Sequence, residues 1–304
     1  MIDPQPDFNP APGVAEWIAP GVRRLLANNP SPMTFRGTNT YLVGGTDVAV
    51  IDPGPNDTAH LEAILAATAS QKIMAILVTH SHLDHSPLAR TLADRTGAPI
   101  YAFSDSFGGR SAIMQQLDFH GLAGGGEGVD ATFSPDICLA DGEAVSGSDW
   151  ALQALHTPGH FGNHLSFAFG DTLFCGDLVM GWASSLVSPP DGDLTDFMAS
   201  CRRLRTGSWR TLLPGHGAAI DDPHGRIDWL IRHRQSREAA VLEALAQGPA
   251  TSTGLAKTIY TDTPAALLPA AARNVFAHLI DLFGQSRVKP DGDLHFNATF
   301  QRCR

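Results

Sequence analysis

The sequence predicts an α+β fold: a four-layer αβ/βα sandwich followed by a small module of helices and a hairpin. Three observations carry this. The first half alternates apolar strand-like runs with helix-like stretches. The middle turns to period-two alternation with tight-turn signals, as half-buried strands require. Past about Asp222 the pattern becomes helical and closes on a last hairpin signal. With 304 residues, 43% of them hydrophobic, the chain is long enough for about two domains and a sizeable core. The expected division is 1–225 for the sandwich and 226–304 for a linker helix and the terminal module.

The elements follow in order. Val48-Ala49-Val50-Ile51 reads as an early strand. Asn56 or Asp57 caps a helix whose apolar face is Leu61, Ile64 and Leu65. Ile73 to Val78 is a buried strand. A helix after Pro87 ends near Gly97, and Ile100 to Phe103 opens another strand. The run Gly121 to Gly128 cannot pack as a regular element and reads as a mobile loop, either a plain insertion or a lid. Ala151 to Leu155 is a strand. Leu165, Phe167 and Phe169 share one strand face, Ser166 and Ala168 the other, and Gly170-Asp171 joins this strand to Thr172-Leu173-Phe174. Such strand-rich halves with helices outside fit two sheets with helices on both outer faces. Ile227 to Ile231 and Val241 to Leu245 lie on helical patterns that break at Gly248-Pro249. Thr251-Ser252-Thr253 caps a short helix through Ile259. Leu268, Ala271, Val275, Leu279 and Leu282 form a helical stripe, and Asp291-Gly292 marks a tight hairpin between Val288 and Phe296. Three helices and a hairpin are the pattern of a winged helix.

Composition narrows the class. The net charge of −10 disfavours non-specific binding to phosphate backbones and anionic membranes. Cys138, Cys175, Cys201 and Cys303 form no Cys-x-x-Cys pair, so neither a disulfide framework nor a zinc ribbon is indicated. The segment from Met1 to Pro20 lacks the basic and apolar regions of a signal peptide. No apolar run is expected to span a bilayer. The expected location is the cytoplasm, where such polar clusters more often bind metal than form disulfides.

The chemistry lies in Thr79-His80-Ser81-His82-Leu83-Asp84-His85-Ser86, between the strand ending at Val78 and the helix after Pro87. Three imidazoles and a carboxylate crowd one turn, a donor set suited to zinc, iron or manganese. Three later positions repeat one plan of apolar strand, glycine turn and ligand-type residue. They are His160 after Pro158-Gly159, Asp177 after Cys175-Gly176, and His216 after Pro214-Gly215. Glycine lets the backbone turn sharply and a ligand approach closely.

These residues resemble the metallo-β-lactamase superfamily over roughly residues 20 to 225. Its His-x-His-x-Asp-His motif stands as His80, His82, Asp84 and His85, and its later ligands as His160, Asp177 and His216. Val50-Ile51-Asp52-Pro53-Gly54 and Gly37 to Gly44 match further family features. The remainder resembles the winged-helix module of one branch. The resemblance implies two divalent ions, zinc first and iron or manganese as alternatives. One would sit on His80, His82 and His160, the other on Asp84, His85 and His216, with Asp177 bridging. It implies a metal-bridging hydroxide as nucleophile, oriented by Asp84 as the catalytic residue. Asp52 would hold the ligand turn through hydrogen bonds. His164, Trp182 and Ser184 are candidate substrate contacts; for His164 a satisfied core position weighs more, and for Trp182 an exposed structural aromatic weighs equally. His60, His224 and His278 read as surface or packing residues, and Cys175 as a buried strand residue.

Departures narrow the branch. True β-lactamases of the superfamily have Cys or Ser where Asp177 stands, and flavodiiron enzymes have glutamate where His82 stands. The expected function is therefore a dinuclear hydrolase of a small-molecule ester or thioester. The alternatives are an endoribonuclease or phosphodiesterase, a nucleic-acid-binding protein using the winged helix, or an iron dioxygenase of the same fold. From residue 237 onward, seven basic residues (Arg237, Lys257, Arg273, Arg287, Lys289, Arg302, Arg304) face six acids (Glu238, Glu243, Asp262, Asp281, Asp291, Asp293). That balance is no basic footprint. The expected partners are a small-molecule substrate and a second copy of the chain, with no membrane. The module is expected to pack on the catalytic part and wall the pocket.

Overall fold

The computed structural model describes residues 3–303; Arg304, one of the basic residues counted above, lies outside them. Among the described residues the first sheet has seven strands in sequential order: β1 (Glu16–Ala19), β2 (Val22–Leu26), β3 (Asn39–Val43), β4 (Asp47–Ile51), β5 (Lys72–Leu77), β6 (Ile100–Ala102) and β7 (Ile137–Cys138). Pairing is antiparallel through β4 and parallel from there to β7. Parallel pairing needs crossovers, which α1 (Thr58–Ala67) and α2 (Leu88–Thr96) supply. Asp57 caps α1, its side chain accepting from the Ala59 amide at 2.8 Å. Gly97 closes α2 in the left-handed region at φ 74°. After β6 comes α3 (Ala112–Phe119).

The second sheet runs β12-β11-β10-β9-β8, built from β8 (Ala144–Ser146), β9 (Ala151–His156), β10 (Leu165–Phe169), β11 (Thr172–Gly176) and β12 (Thr211–Pro214). Phe169 pairs with Thr172, so Gly170-Asp171 is the expected two-residue turn. The two sheets bury Tyr41, Val43, Ile51 and Leu77 of the first against Leu152, Leu165, Phe167 and Phe174 of the second. Truncating a residue such as Phe167 to alanine would cost about 3–5 kcal/mol, because the close-packed layer cannot collapse into the gap. α1 and α2 cover the outer face of the first sheet. α4 (Leu194–Arg205) and α5 (Pro223–Ala246) cover the second. That outer layer corrects one expectation: β10 is not half-exposed, since Ser166 on its other face is fully buried and pairs with the Thr157 hydroxyl at 2.9 Å.

α5 is continuous across the expected boundary at residue 225 and joins two cores. Ile227 and Leu230 pack in the sandwich, Val241, Leu242 and Leu245 in the module. The module adds α6 (Ser252–Ile259), capped by Thr251, and α7 (Leu268–Gly284). It also holds a small sheet in the order β13-β15-β14, from β13 (Ala250–Thr251), β14 (Val288–Pro290) and β15 (Thr299–Arg302). The expected tight Asp-Gly hairpin is corrected. β14 pairs with Thr299–Arg302 rather than with the residues just after Gly292. Leu294 and Phe296 instead turn inward on the module core, where Phe296 meets Phe276 edge-on. The stretch Ala265–Gly284 is long and apolar enough to cross a membrane by length and composition, contrary to the sequence expectation. Here it is the module's central helix, with Arg273, Asn274 and His278 along it and a largely buried apolar stripe. Met114, Leu117 and Ala123 of the α3 region belong to the same core as α5, α6 and α7, so the module packs on the sandwich through shared apolar residues.

Candidate metal centre

The strands of both sheets end at one edge, and the ligand-type residues leave the backbone there. β5 delivers His80, His82, Asp84 and His85 through its following turn; β9 delivers His160, β11 Asp177 and β12 His216. Three groups converge: His80 with His82 and His160, Asp84 with His85 and His216, and His80 with His85 and Asp177. The close approach depends on glycine at 215. A Cβ there would stand 2.4 Å from the Asp177 carboxylate and 2.7 Å from the His85 ring.

The outward ring nitrogens are tied down. His160 Nδ1 donates to the Leu186 carbonyl at 2.7 Å, and His216 Nδ1 to the Gly37 carbonyl at 3.0 Å. His85 Nδ1 donates to Asp52 Oδ2 at 2.9 Å. Asp52 also accepts from the Thr79 amide and hydroxyl, both at 2.7 Å. With its proton given to Asp52, the Thr79 oxygen accepts from His80 Nδ1 at 3.0 Å. Each of these rings therefore presents a bare Nε2 inward when neutral. Asp52 is buried with a left-handed φ of 50°, a strained backbone kept where its carboxylate meets three donors.

A metal fits the inward side. His82 Nδ1 lies 2.9 Å from His80 Nε2 and 3.0 Å from His160 Nε2. One N–H cannot serve both, so lone pairs would face each other without a cation. Ring nitrogens about 3.3 Å apart are what a tetrahedral ion with bonds of 2.0–2.1 Å requires. Asp177 Oδ2 stands between the groups, 3.7 Å from His160 Nε2 and 3.3 Å from His216 Nε2. Its Oδ1 is buried with no hydrogen-bond partner among the described residues. Asp84 Oδ2 is 3.1 Å from His216 Nε2 and 3.4 Å from His85 Nε2, and its side chain remains 26% exposed.

The charges divide in two. Burial, followed by the neighbouring imidazoles, holds His80 well below its ordinary value. Burial and then His160 lower His82 to about 3. His160 is also lowered, first by burial. In the other half burial again opposes charge, but Asp177 and Asp84 outweigh it and raise His216 to about 10. Burial likewise opposes charge on His85, where Asp84, Asp177 and Asp52 prevail and raise it well above the ordinary range. Burial would raise both acids, yet His216 and His85 hold Asp177 and Asp84 well below the carboxylate range. The histidines of one half are thus neutral and those of the other balance carboxylates, so a divalent cation would take the place of protons.

All seven expected positions meet at this edge. His164 does not line it. It is fully buried beneath His80, ring centroids 5.3 Å apart, with Nδ1 on the Thr157 hydroxyl at 2.9 Å. No surface of the ring is open, which matches the packing alternative for His164 rather than a substrate contact. Trp182 stacks on Phe35 at 5.0 Å and would clash with any side chain at Gly217, next to His216. Ser184 is partly exposed in the same segment. Phe35 was not legible beforehand. It sits at φ 56° and stacks on Phe8 at 6.3 Å as well, and no local pattern marks it. The Gly121–Gly128 run is irregular, as expected, but tied. Arg273 donates to the Ala123 carbonyl at 2.6 Å, the Gly126 amide to Asp191 at 3.1 Å, and the Gly128 carbonyl accepts from the Leu83 amide at 2.7 Å.

Comparisons with known proteins agree with this geometry. Residues 33–216 match the family profile described as the metallo-beta-lactamase superfamily, and residues 251–297 the beta-lactamase associated winged helix domain. A beta-lactamase-like protein 2 homolog of Drosophila melanogaster is 31% identical, covering 92% of this chain and 94% of its own. An atrochrysone carboxyl ACP thioesterase of Aspergillus fumigatus is 30% identical over 82% of this chain and 76% of its own. The crystal structure of a metallo-beta-lactamase family protein from Thermus thermophilus superposes with a TM-score of 0.75 at 26% identity. It covers 94% of this chain and 100% of the other.

Proposed function

This chain belongs to the metallo-beta-lactamase superfamily and is a hydrolase, and from that premise we propose that it cleaves a small-molecule ester or thioester at a two-metal centre. The observation that carries the reading is the position of Asp177, whose Oδ2 faces His160 of one group and His216 of the other. His80, His82 and His160 would hold one ion, Asp84, His85 and His216 the second, and Asp177 both. Two divalent ions, zinc first and iron or manganese as alternatives, would when bound supply a hydroxide nucleophile at neutral pH and polarise the scissile acyl bond.

The chain's own residues do the rest. Asp84, whose side chain stays partly open to solvent beside His216 and His85, would accept a hydrogen bond from the attacking hydroxide and orient it toward the acyl carbon. A C–O bond forms there as the C–S or C–O bond to the leaving group breaks, and the leaving atom takes up the proton that the water gave up in becoming hydroxide. The Phe35–Trp182 stack beside His216 gives the site an aromatic wall for an apolar acyl group. A relative named as a thioesterase supports thioesters first. Nucleic acid fits less well. Arg273, the basic residue within α7, is buried against backbone carbonyls, and the Phe296 amide of the hairpin loop donates to the Leu122 carbonyl.

A panel of acyl thioesters, esters, lactones, penicillins and short RNAs tests this on metal-loaded protein. Turnover of a thioester or ester is expected, abolished by chelator and by His82→Ala. Penicillin or carbapenem turnover with kcat/KM above about 10⁴ M⁻¹s⁻¹, and none of acyl esters or thioesters, would sink the reading.

A further inference from the structure

The segment 185–188 carries the carbonyl that orients His160, and the C-terminal module grips that segment at each step. Arg234 of α5 donates through Nη2 to the Ser185 carbonyl. Asn274 of α7 accepts the Val187 amide at Oδ1, 3.0 Å, and the same oxygen accepts from Arg234 Nη1 at 3.0 Å. Arg273 donates to the Ser188 hydroxyl at 2.9 Å. Arg234 is 2% exposed, and its hydrogen-bond partners among the described residues are a backbone carbonyl and an amide oxygen, not a carboxylate. A buried guanidinium without a counter-charge is costly unless its donors are used; here Nη2 serves the Ser185 carbonyl and Nη1 serves Asn274, while Nε has no partner among the described residues.

The Leu186 carbonyl and the Val187 N–H belong to one planar trans peptide, so they point in opposite directions. His160 Nδ1 donates to one end of that peptide at 2.7 Å, and Asn274 Oδ1 accepts from the other. A single peptide plane is therefore strung between the module and the imidazole. It cannot tilt without losing one bond or the other. A peptide polarised at its N–H is also a better acceptor at its carbonyl, which strengthens the bond that fixes the His160 ring.

We propose that Asn274 is a positioning residue for the three-imidazole half of the centre, acting on His160 through the Leu186–Val187 peptide. The winged-helix module is thereby a working support of the metal centre and not an appended binder. Arg234 and Arg273 hold the flanking residues so that the peptide stays in place. The inference rests on the two-metal reading above. It assigns the module's influence to one half of the centre: the group of Asp84, His85 and His216 takes its outward bonds from Asp52 and Gly37 instead.

The test is titration of the purified full chain with zinc and with cobalt against a competing chelator. Asn274→Ala is expected to weaken one of two ions by about 10–100-fold and leave the other unchanged. Asn274→Asp, which keeps an acceptor for the Val187 amide, is expected to restore most of that loss. In a His82→Ala background, which already lacks the three-imidazole group, Asn274→Ala is expected to add nothing. Should Asn274→Ala fail to fold, Asn274→Ser is read by the same titration. Wild-type protein with two ions and an Asn274→Ala variant of equal affinities overturns the inference alone. So does a variant in which both ions weaken together. A wild-type protein that takes up one ion or none overturns the two-metal reading and the inference with it.

Discussion

Asp52 and His85 share a hydrogen bond of 2.9 Å in the buried floor of the centre, and the same carboxylate reaches His80 through the Thr79 hydroxyl. One acid thus sets the tautomer of an imidazole in each half. Asn tolerates a positive φ, so Asp52→Asn should keep the backbone while exchanging one acceptor for a donor. The His85 or Thr79 proton then loses its partner. Metal affinity is expected to fall about 10–100-fold, measured by chelator competition, with far-UV circular dichroism unchanged.

Asp177 should be the residue on which both ions depend. Elemental analysis of the loaded wild type is expected to give two metals per chain, and a crystal structure should place them about 3.5–4 Å apart. Asp177→Ala should lose occupancy of both. A fully loaded protein with one ion on His80, His82 and His160 contradicts this.

What was legible beforehand follows a physical rule. The seven expected positions showed because four crowd one turn after an apolar run and three stand beside a glycine turn at the end of one, so the signal is local. The helices showed through period and caps, such as Asp57 and Thr251. The second strand of the last hairpin was misplaced because Asp291-Gly292 is a strong turn signal, while the inward packing of Leu294 and Phe296 is a tertiary effect. The buried face of β10 was misread because α4 and α5, which cover it, come later in the chain. Asn274 and Arg234 carry no local signal, since their partners at Val187 and Ser185 lie 87 and 49 positions away. Phe35 was hidden for the same reason.

His278 gives a pH dependence of definite sign. It is buried on α7 with both ring nitrogens unpartnered among the described residues. Burial, then Arg234, lowers it from 6.5 to about 3. Below pH 6.5 the unfolded chain takes up a proton that the folded chain refuses, so stability falls as pH falls until about pH 3. The contribution is about 1.4 kcal/mol per pH unit in that window. His278→Leu should flatten the slope of urea-unfolding stability between pH 6.5 and 4 by about one proton. An unchanged slope would show that His278 does not titrate this way.

Cutting the chain after Gly248 should leave Val241, Leu242, Leu245, Met114 and Leu117 without their cover from α6, α7 and Phe300. The expected result is aggregation, read as loss of the monodisperse peak in size-exclusion chromatography. A soluble, folded 1–248 fragment would mean that the sandwich needs no such cover.

The shared core of α3 and the module also has a consequence for synthesis. Met114 and Leu117 leave the ribosome roughly 180 residues before Phe300, with which they share that core. At about 5–20 residues per second that is a wait on the order of 10–40 s. Until α5, α6 and α7 have followed, the α3 residues Met114 and Leu117 lack their partners in that core. Chaperone engagement should therefore concentrate on α3 during translation, and codon changes that slow the last third of the message should lower yield without touching a residue of the centre.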